Sequence, residues 1–150
     1  MSLTHTRRSR RRSRLVRNLR RGRAQRLLSG ATAAAALPLG AEIYVNHYGG
    51  SFGNKWMWTP VVLSPAVAAA GVAGVASERA ARTWLPAMSA LYIANGGLGM
   101  YLHLRGIARK PGGLREASYN LVMGPPLLAP GSLTMVGAIG LAAAVMRRER

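Results

Sequence analysis

Cysteine is absent from this 150-residue chain. Disulfides, thiolate metal sites and thiol nucleophiles are therefore excluded. Acids are scarce as well, four against 21 lysines and arginines. General acid–base catalysis would have to fall on Glu42, Glu116 or a histidine. No H-E-x-x-H, nucleophile elbow, phosphate loop or carboxylate pair is present. Lysine occurs only at positions 55 and 110, so nearly all of the +17 net charge is arginine. With the abundant alanine and glycine, this bias points to GC-rich coding. It makes the number of arginines a weaker functional signal than it looks.

Charge is also missing from long stretches. After Arg26, charged residues occur only at Glu42, Lys55, Glu78–Arg82, Arg105–Glu116 and Arg147–Arg150. The intervening runs are roughly 20 residues long, the length that crosses a hydrocarbon core about 30 Å thick. They lack the polar face at helical period that a soluble amphipathic helix shows. The expected fold is all-α: an integral membrane four-helix bundle with four transmembrane spans, about 27–47, 57–76, 84–104 and 121–146, behind a basic cytoplasmic tail.

That tail, residues 1–26, carries eleven arginines and no acid. Like-charge repulsion and few apolar residues predict disorder there. Its expected partners are the bilayer and anionic lipid headgroups. Nucleic acid is less favoured, because no aromatic is interleaved for base stacking. A basic stretch before an apolar run also resembles a secretory leader. However, no small-x-small cleavage site precedes Glu42, and the next polar loop leads directly into another apolar run.

Basic residues orient a membrane protein. The tail, the 77–83 turn and the C-terminus hold sixteen of them, and the other two loops hold five. Both termini are thus expected on the cytoplasmic side of the inner (plasma) membrane. The loop after the third span breaks this bias with Arg105, Arg109, Lys110 and Arg115. The first three of these suit an anionic group, which arginine holds through its fork of donors.

Finer features refine each span. Pro65 should kink the second, and Ala70 with Gly74 should give it a small-residue packing face. Gly137 and Gly140 repeat that signal in the fourth. Gly124-Pro125-Pro126 should make residues 118–126 a capping or partly re-entrant segment, leaving 127–146 as helix proper.

The stretch Glu42–Pro60, EIYVNHYGGSFGNKWMWTP, forms the first outer turn. Seven of the nine aromatics fall on the outer side, as in an interfacial belt. Unusual polar residues gather there too. Glu42 and Asn46 are one helical turn apart. His103 follows Asn95 by eight residues, about 80° round the helix. A single outer pocket is expected from Glu42, Asn46, His47, Asn95, His103 and Asn120, closed above by Arg105, Arg109 and Lys110.

Three functions follow as expectations. The pocket binds a small ligand, a lipid headgroup, a cofactor or a partner membrane subunit. Alternatively, Glu42 works with His47 and His103 in a redox subunit or enzyme, the two imidazoles holding haem b or a divalent metal. The third is a membrane anchor for the arginine-rich tail.

Overall fold

The computed structural model of the protein describes residues 23–148. Most of the expected tail therefore lies outside the described residues. The first helix, α1, runs Ala24–Gly49. It begins three residues before the expected span, because Gln25 is buried and its side-chain amide donates to the Met146 carbonyl at 3.2 Å. A 3₁₀ turn at Lys55–Met57 leads into α2, Trp58–Ala76. The charged turn that follows contains a short helix, α3, Glu78–Arg82, capped by Ser77 and braced by the Glu78–Arg82 ion pair. Next come α4, Trp84–Ala108, the six-residue α5, Ala117–Val122, and α6, Leu128–Val145. No strand occurs among the described residues.

Proline and glycine place several boundaries. Pro60 and Pro130 fall in the first turns of α2 and α6, where the missing N–H costs little. The Gly124-Pro125-Pro126 segment separates α5 from α6, in the region expected to be irregular. α2 continues through Pro65 as one helix.

The four long helices pack in a ring. α1 lies against α2 and α6, and α4 lies against the same two. Facing residues run in opposite order along each pair. Ser29 lies near Gly74, and Ala33 near Gly71. On the other seam Ser89 lies near Gly137, and Thr134 near Gly96. Neighbours are therefore antiparallel. One end of the ring, the loop end, carries residues 50–57 and 109–127. The other carries residues 23 and 148, the ends of the described segment, and α3.

Apolar residues lie both inside the ring, as Ile43, Val67, Leu85 and Leu133 do, and on its outer surface. Small and polar residues lie inside as well, including Ser29, Thr32, Ser64 and Ser89, while Leu37, Val45, Val62, Val72, Leu91, Met135 and Val145 are exposed. Ser29 and Thr32 satisfy their hydroxyls on carbonyls four residues back. Small inward residues allow close helix approach where lipid removes the hydrophobic drive between helices. Three segments are long and apolar enough to cross a membrane: α1, Lys55–Ala76 and α6. α4 has 25 residues, but Asn95, His103, Arg105 and its glycines dilute its apolarity.

The end opposite the loops is closed by Arg148. Its guanidinium donates to the carbonyls of Gly74 at 2.9 Å and Val75 at 2.5 Å, and reaches Gln25 Oε1. A cation is well placed on the open carbonyls of a helix C-terminus.

Candidate functional site

A cavity of about 530 Å³ opens at the loop end, between all four long helices. α1 contributes Ile43, Asn46 and His47. The start of α2 and the turn before it contribute Asn54, Trp56, Met57, Thr59 and Pro60. α4 contributes Asn95, Leu98, Leu102, His103, Arg105 and Arg109. Pro125, Pro126, Ala129, Pro130 and Leu133 form the wall at the head of α6. Below lies a packed core in which Tyr92, fully buried, donates to Ser64 Oγ at 2.7 Å. Ser64 in turn donates to the Pro60 carbonyl at 2.7 Å.

Both histidines are held the same way. His47 Nδ1 lies 2.9 Å from the Met57 carbonyl, and His103 Nδ1 lies 2.6 Å from the Pro126 carbonyl. A carbonyl oxygen only accepts, so each Nδ1 carries the proton. The neutral ring then keeps its lone pair on Nε2. Asn95 donates to Thr59 Oγ1 at 2.6 Å, and Thr59 donates to the Trp56 carbonyl at 2.7 Å. This chain positions the amide of Asn95 on the cavity wall and leaves its Oδ1 unused. Asn46 spends one amide hydrogen on the Glu42 carbonyl, 2.9 Å away.

An aromatic cluster backs His47. Phe52 stacks on Trp58 with centroids 4.0 Å apart at 15°, and meets Tyr44 and the His47 ring edge at 5.6 and 6.1 Å. Ser51 and Phe52 adopt left-handed backbone, φ 54° and 46°. That conformation is costly for a bulky side chain. The stacking of Phe52 on Trp58 offsets the strain and holds the turn over the cavity rim.

Of the six residues expected in one pocket, Asn46, His47, Asn95 and His103 line this cavity, together with Arg105 and Arg109. Glu42 does not. It is exposed on α1, one position before the buried Ile43, so about 100° of helical rotation turns it off the inward face. A centre combining Glu42 with both histidines is therefore not assembled. Asn120 is displaced from the pocket as well. It is buried, but both its amide hydrogens go to the Pro111 and Gly113 carbonyls, at 3.0 and 2.8 Å. Lys110 ties the same region, donating from Nζ to the Met123 carbonyl at 2.8 Å.

Sequence reasoning missed Thr59 and the two carbonyls that hold the histidines. Backbone acceptors leave no residue-type signal. The one available clue was the Gly-Pro-Pro break, which frees the Pro126 carbonyl from helical pairing. Among the described residues no group of three or more His, Cys, Asp or Glu side chains converges. A divalent ion held by His47 and His103 would lack the three or four protein ligands typical of zinc. With Nδ1 bound to a carbonyl and Nε2 available, His47 and His103 are the residues that would hold a haem iron were one bound.

No protein-family model, curated protein or solved structure matches this chain.

Proposed function

We propose that this is a four-span protein of the inner (plasma) membrane, with both termini cytoplasmic, that binds a small amphiphilic ligand in its outer-end cavity. The observation that carries the reading is the lining itself. Four polar side chains from α1 and α4 stand over an apolar wall of leucine, isoleucine and proline, the composition of a small-molecule site. α4 is taken as the remaining span. It has no Asp, Glu, Lys or Arg from Trp84 to Leu104, packs between α2 and α6, and exposes Leu91. The arginine-rich segment marks the cytoplasmic side and meets anionic lipid there.

Orientation is tested with single cysteines, which this chain permits because it has none of its own. Ser51→Cys and Ser118→Cys should react with an impermeant thiol reagent in intact cells, and Ser77→Cys should not. Labelling at position 77 alone would reverse the topology.

Binding is tested by filling the cavity. Leu98 is half-buried on its wall, and Leu98→Trp should occupy it. An environment-sensitive fluorescent amphiphile should bind the native protein saturably, and the variant at least tenfold more weakly, with unchanged helical content. Equal binding by both would remove the cavity from consideration.

Haem ligation is a second reading, favoured by the two Nδ1–carbonyl bonds. It predicts strong absorbance near 400 nm in the purified protein, lost in His47→Ala and His103→Ala. A colourless preparation that takes up no added haem ends it.

A further inference from the structure

The polar side chains on the cavity wall keep unused hydrogen-bonding capacity. The histidine Nδ1 protons are spent on the Met57 and Pro126 carbonyls, leaving two Nε2 lone pairs. Asn46 and Asn95 each spend an amide hydrogen on a protein acceptor, leaving two Oδ1 atoms without one. The neutral wall therefore offers four acceptors, beside the second amide hydrogen of Asn46 and of Asn95. No acid lines the cavity, so nothing there neutralises a cation outright. Its only charged residues are Arg105 and Arg109. Both are exposed, and neither has a carboxylate partner among the described residues. They stand two and six residues beyond His103 toward the end of α4, about 3 and 9 Å along the axis at 1.5 Å per residue. Four apart, they share one helix face, so both forks can meet a single anion.

We propose that the cavity is a headgroup site for a phosphate-bearing amphiphile whose head also carries a hydrogen-bond donor, an ammonium or a hydroxyl. This rests on the cavity reading above. Arg105 and Arg109 take the phosphate at the mouth. The Nε2 atoms of His47 and His103, with the Asn46 and Asn95 carbonyl oxygens, accept from the ammonium or hydroxyl. The apolar part lies along Leu98, Leu102 and the proline wall. A neutral head would leave the guanidinium forks unused. A head without a donor would leave unpaired each of these acceptors that it shields from water, which costs binding free energy. The lipid chemistry that meets both requirements is a phosphodiester esterified to ethanolamine or glycerol. A choline ester has the same phosphate but no N–H or O–H.

The full chain, purified in non-ionic detergent, is titrated with short-chain phosphatidylethanolamine, phosphatidylglycerol and phosphatidylcholine of equal chain length. Inorganic phosphate and a neutral monoacylglycerol complete the set. Bound lipid is read by native mass spectrometry. Ethanolamine and glycerol lipids should bind about tenfold more tightly than the choline lipid, close to the net free energy of one hydrogen bond. Arg105→Gln and Arg109→Gln should each lower affinity about tenfold and flatten its salt dependence. His47→Asn and His103→Asn keep a donor near the Nδ1 position for the backbone carbonyl and delete Nε2. They should abolish the preference over choline while phosphate affinity remains.

Equal binding of the choline lipid overturns the donor half of the proposal, and intact affinity in the arginine variants overturns the phosphate half. Inorganic phosphate that displaces the lipid at comparable concentration makes this a free-phosphate site and overturns the lipid assignment. If monoacylglycerol binds as tightly as the phospholipids and Leu98→Trp abolishes it, the headgroup proposal fails while the cavity reading stands. If no probe binds in a manner sensitive to Leu98→Trp, both fail.

Discussion

Replacing Gly71 or Gly137 with leucine should each cost about 3 kcal/mol, the upper end for overpacking a well-filled interior. A Cβ added at Gly71 would sit 2.8 Å from the Ser29 carbonyl oxygen and 2.9 Å from Ala33 Cβ. At Gly137 it would sit 2.7 Å from both the Ser89 carbonyl oxygen and Ile93 Cγ1. In each case backbone is among the obstructing atoms, so no rotamer change relieves the clash and the helices must move apart. The two glycines lie on different seams, α1 with α2 and α4 with α6. Their effects should add, and the double variant should fail to fold at growth temperature. Gly97→Leu is the control, because a Cβ there meets nothing within 4 Å. Unfolding in a denaturing-detergent titration, followed by circular dichroism, measures all four. If Gly71→Leu were as stable as Gly97→Leu, the α1–α2 seam would not be as close as described.

These positions show where a sequence is readable and where it is not. Charge-free runs mark helices because charge is excluded from a hydrocarbon core whatever packs against it. Runs 57–76 and 84–104 accordingly contain or lie within α2 and α4, with ends within a few residues. Small residues mark close packing, but several registers of one helix carry them. Ala70 with Gly74 is the visible pair. Gly71 also meets the neighbouring backbone, and only the position of α1 reveals this.

The cavity divides the same way. Asn95 and His103 are legible because both follow one face of a single helix, and His47 because it ends an adjacent one. Glu42 is not. Asn46 lines the cavity and Glu42 one turn earlier does not, since a four-residue step still rotates about 40°. At the edge of a packed face, that rotation moves a side chain from inside to outside. Glu42→Gln should consequently leave ligand affinity unchanged within twofold, measured in the same lipid titration. A larger loss would return Glu42 to the site.

Asn120→Asp should cost about 3 kcal/mol, because it replaces two donors with oxygen at nearly constant volume. Asn120 is only 2% exposed, and its amide bridges the carbonyls of Pro111 and Gly113. Between those carbonyls the chain turns through left-handed backbone at Gly112 and Gly113, φ 76° and 50°. The asparagine thus pins a turn seven to nine residues away in sequence and sets where α5 leaves α4. An ionised carboxylate there would face two carbonyl oxygens with no donor, and loss of partners for a buried charged group exceeds the 1–3 kcal/mol of a neutral one. A protonated carboxyl restores one of the two bonds. The introduced carboxyl is thus disfavoured in its charged form, and its pKa in the folded variant should rise above the ordinary aspartate value of about 4. The destabilisation should accordingly be smallest below about pH 4 and grow as pH rises through the folded-state pKa. Thermal melts of variant and native protein across this range check the sign. Asn120→Ala, which leaves carbonyls that water can partly reach, should cost less, about 1–2 kcal/mol. Because Asn120 does not line the cavity, the folded fraction of either variant should bind lipid with native affinity. A variant of native stability that no longer bound lipid would instead place Asn120 in the site.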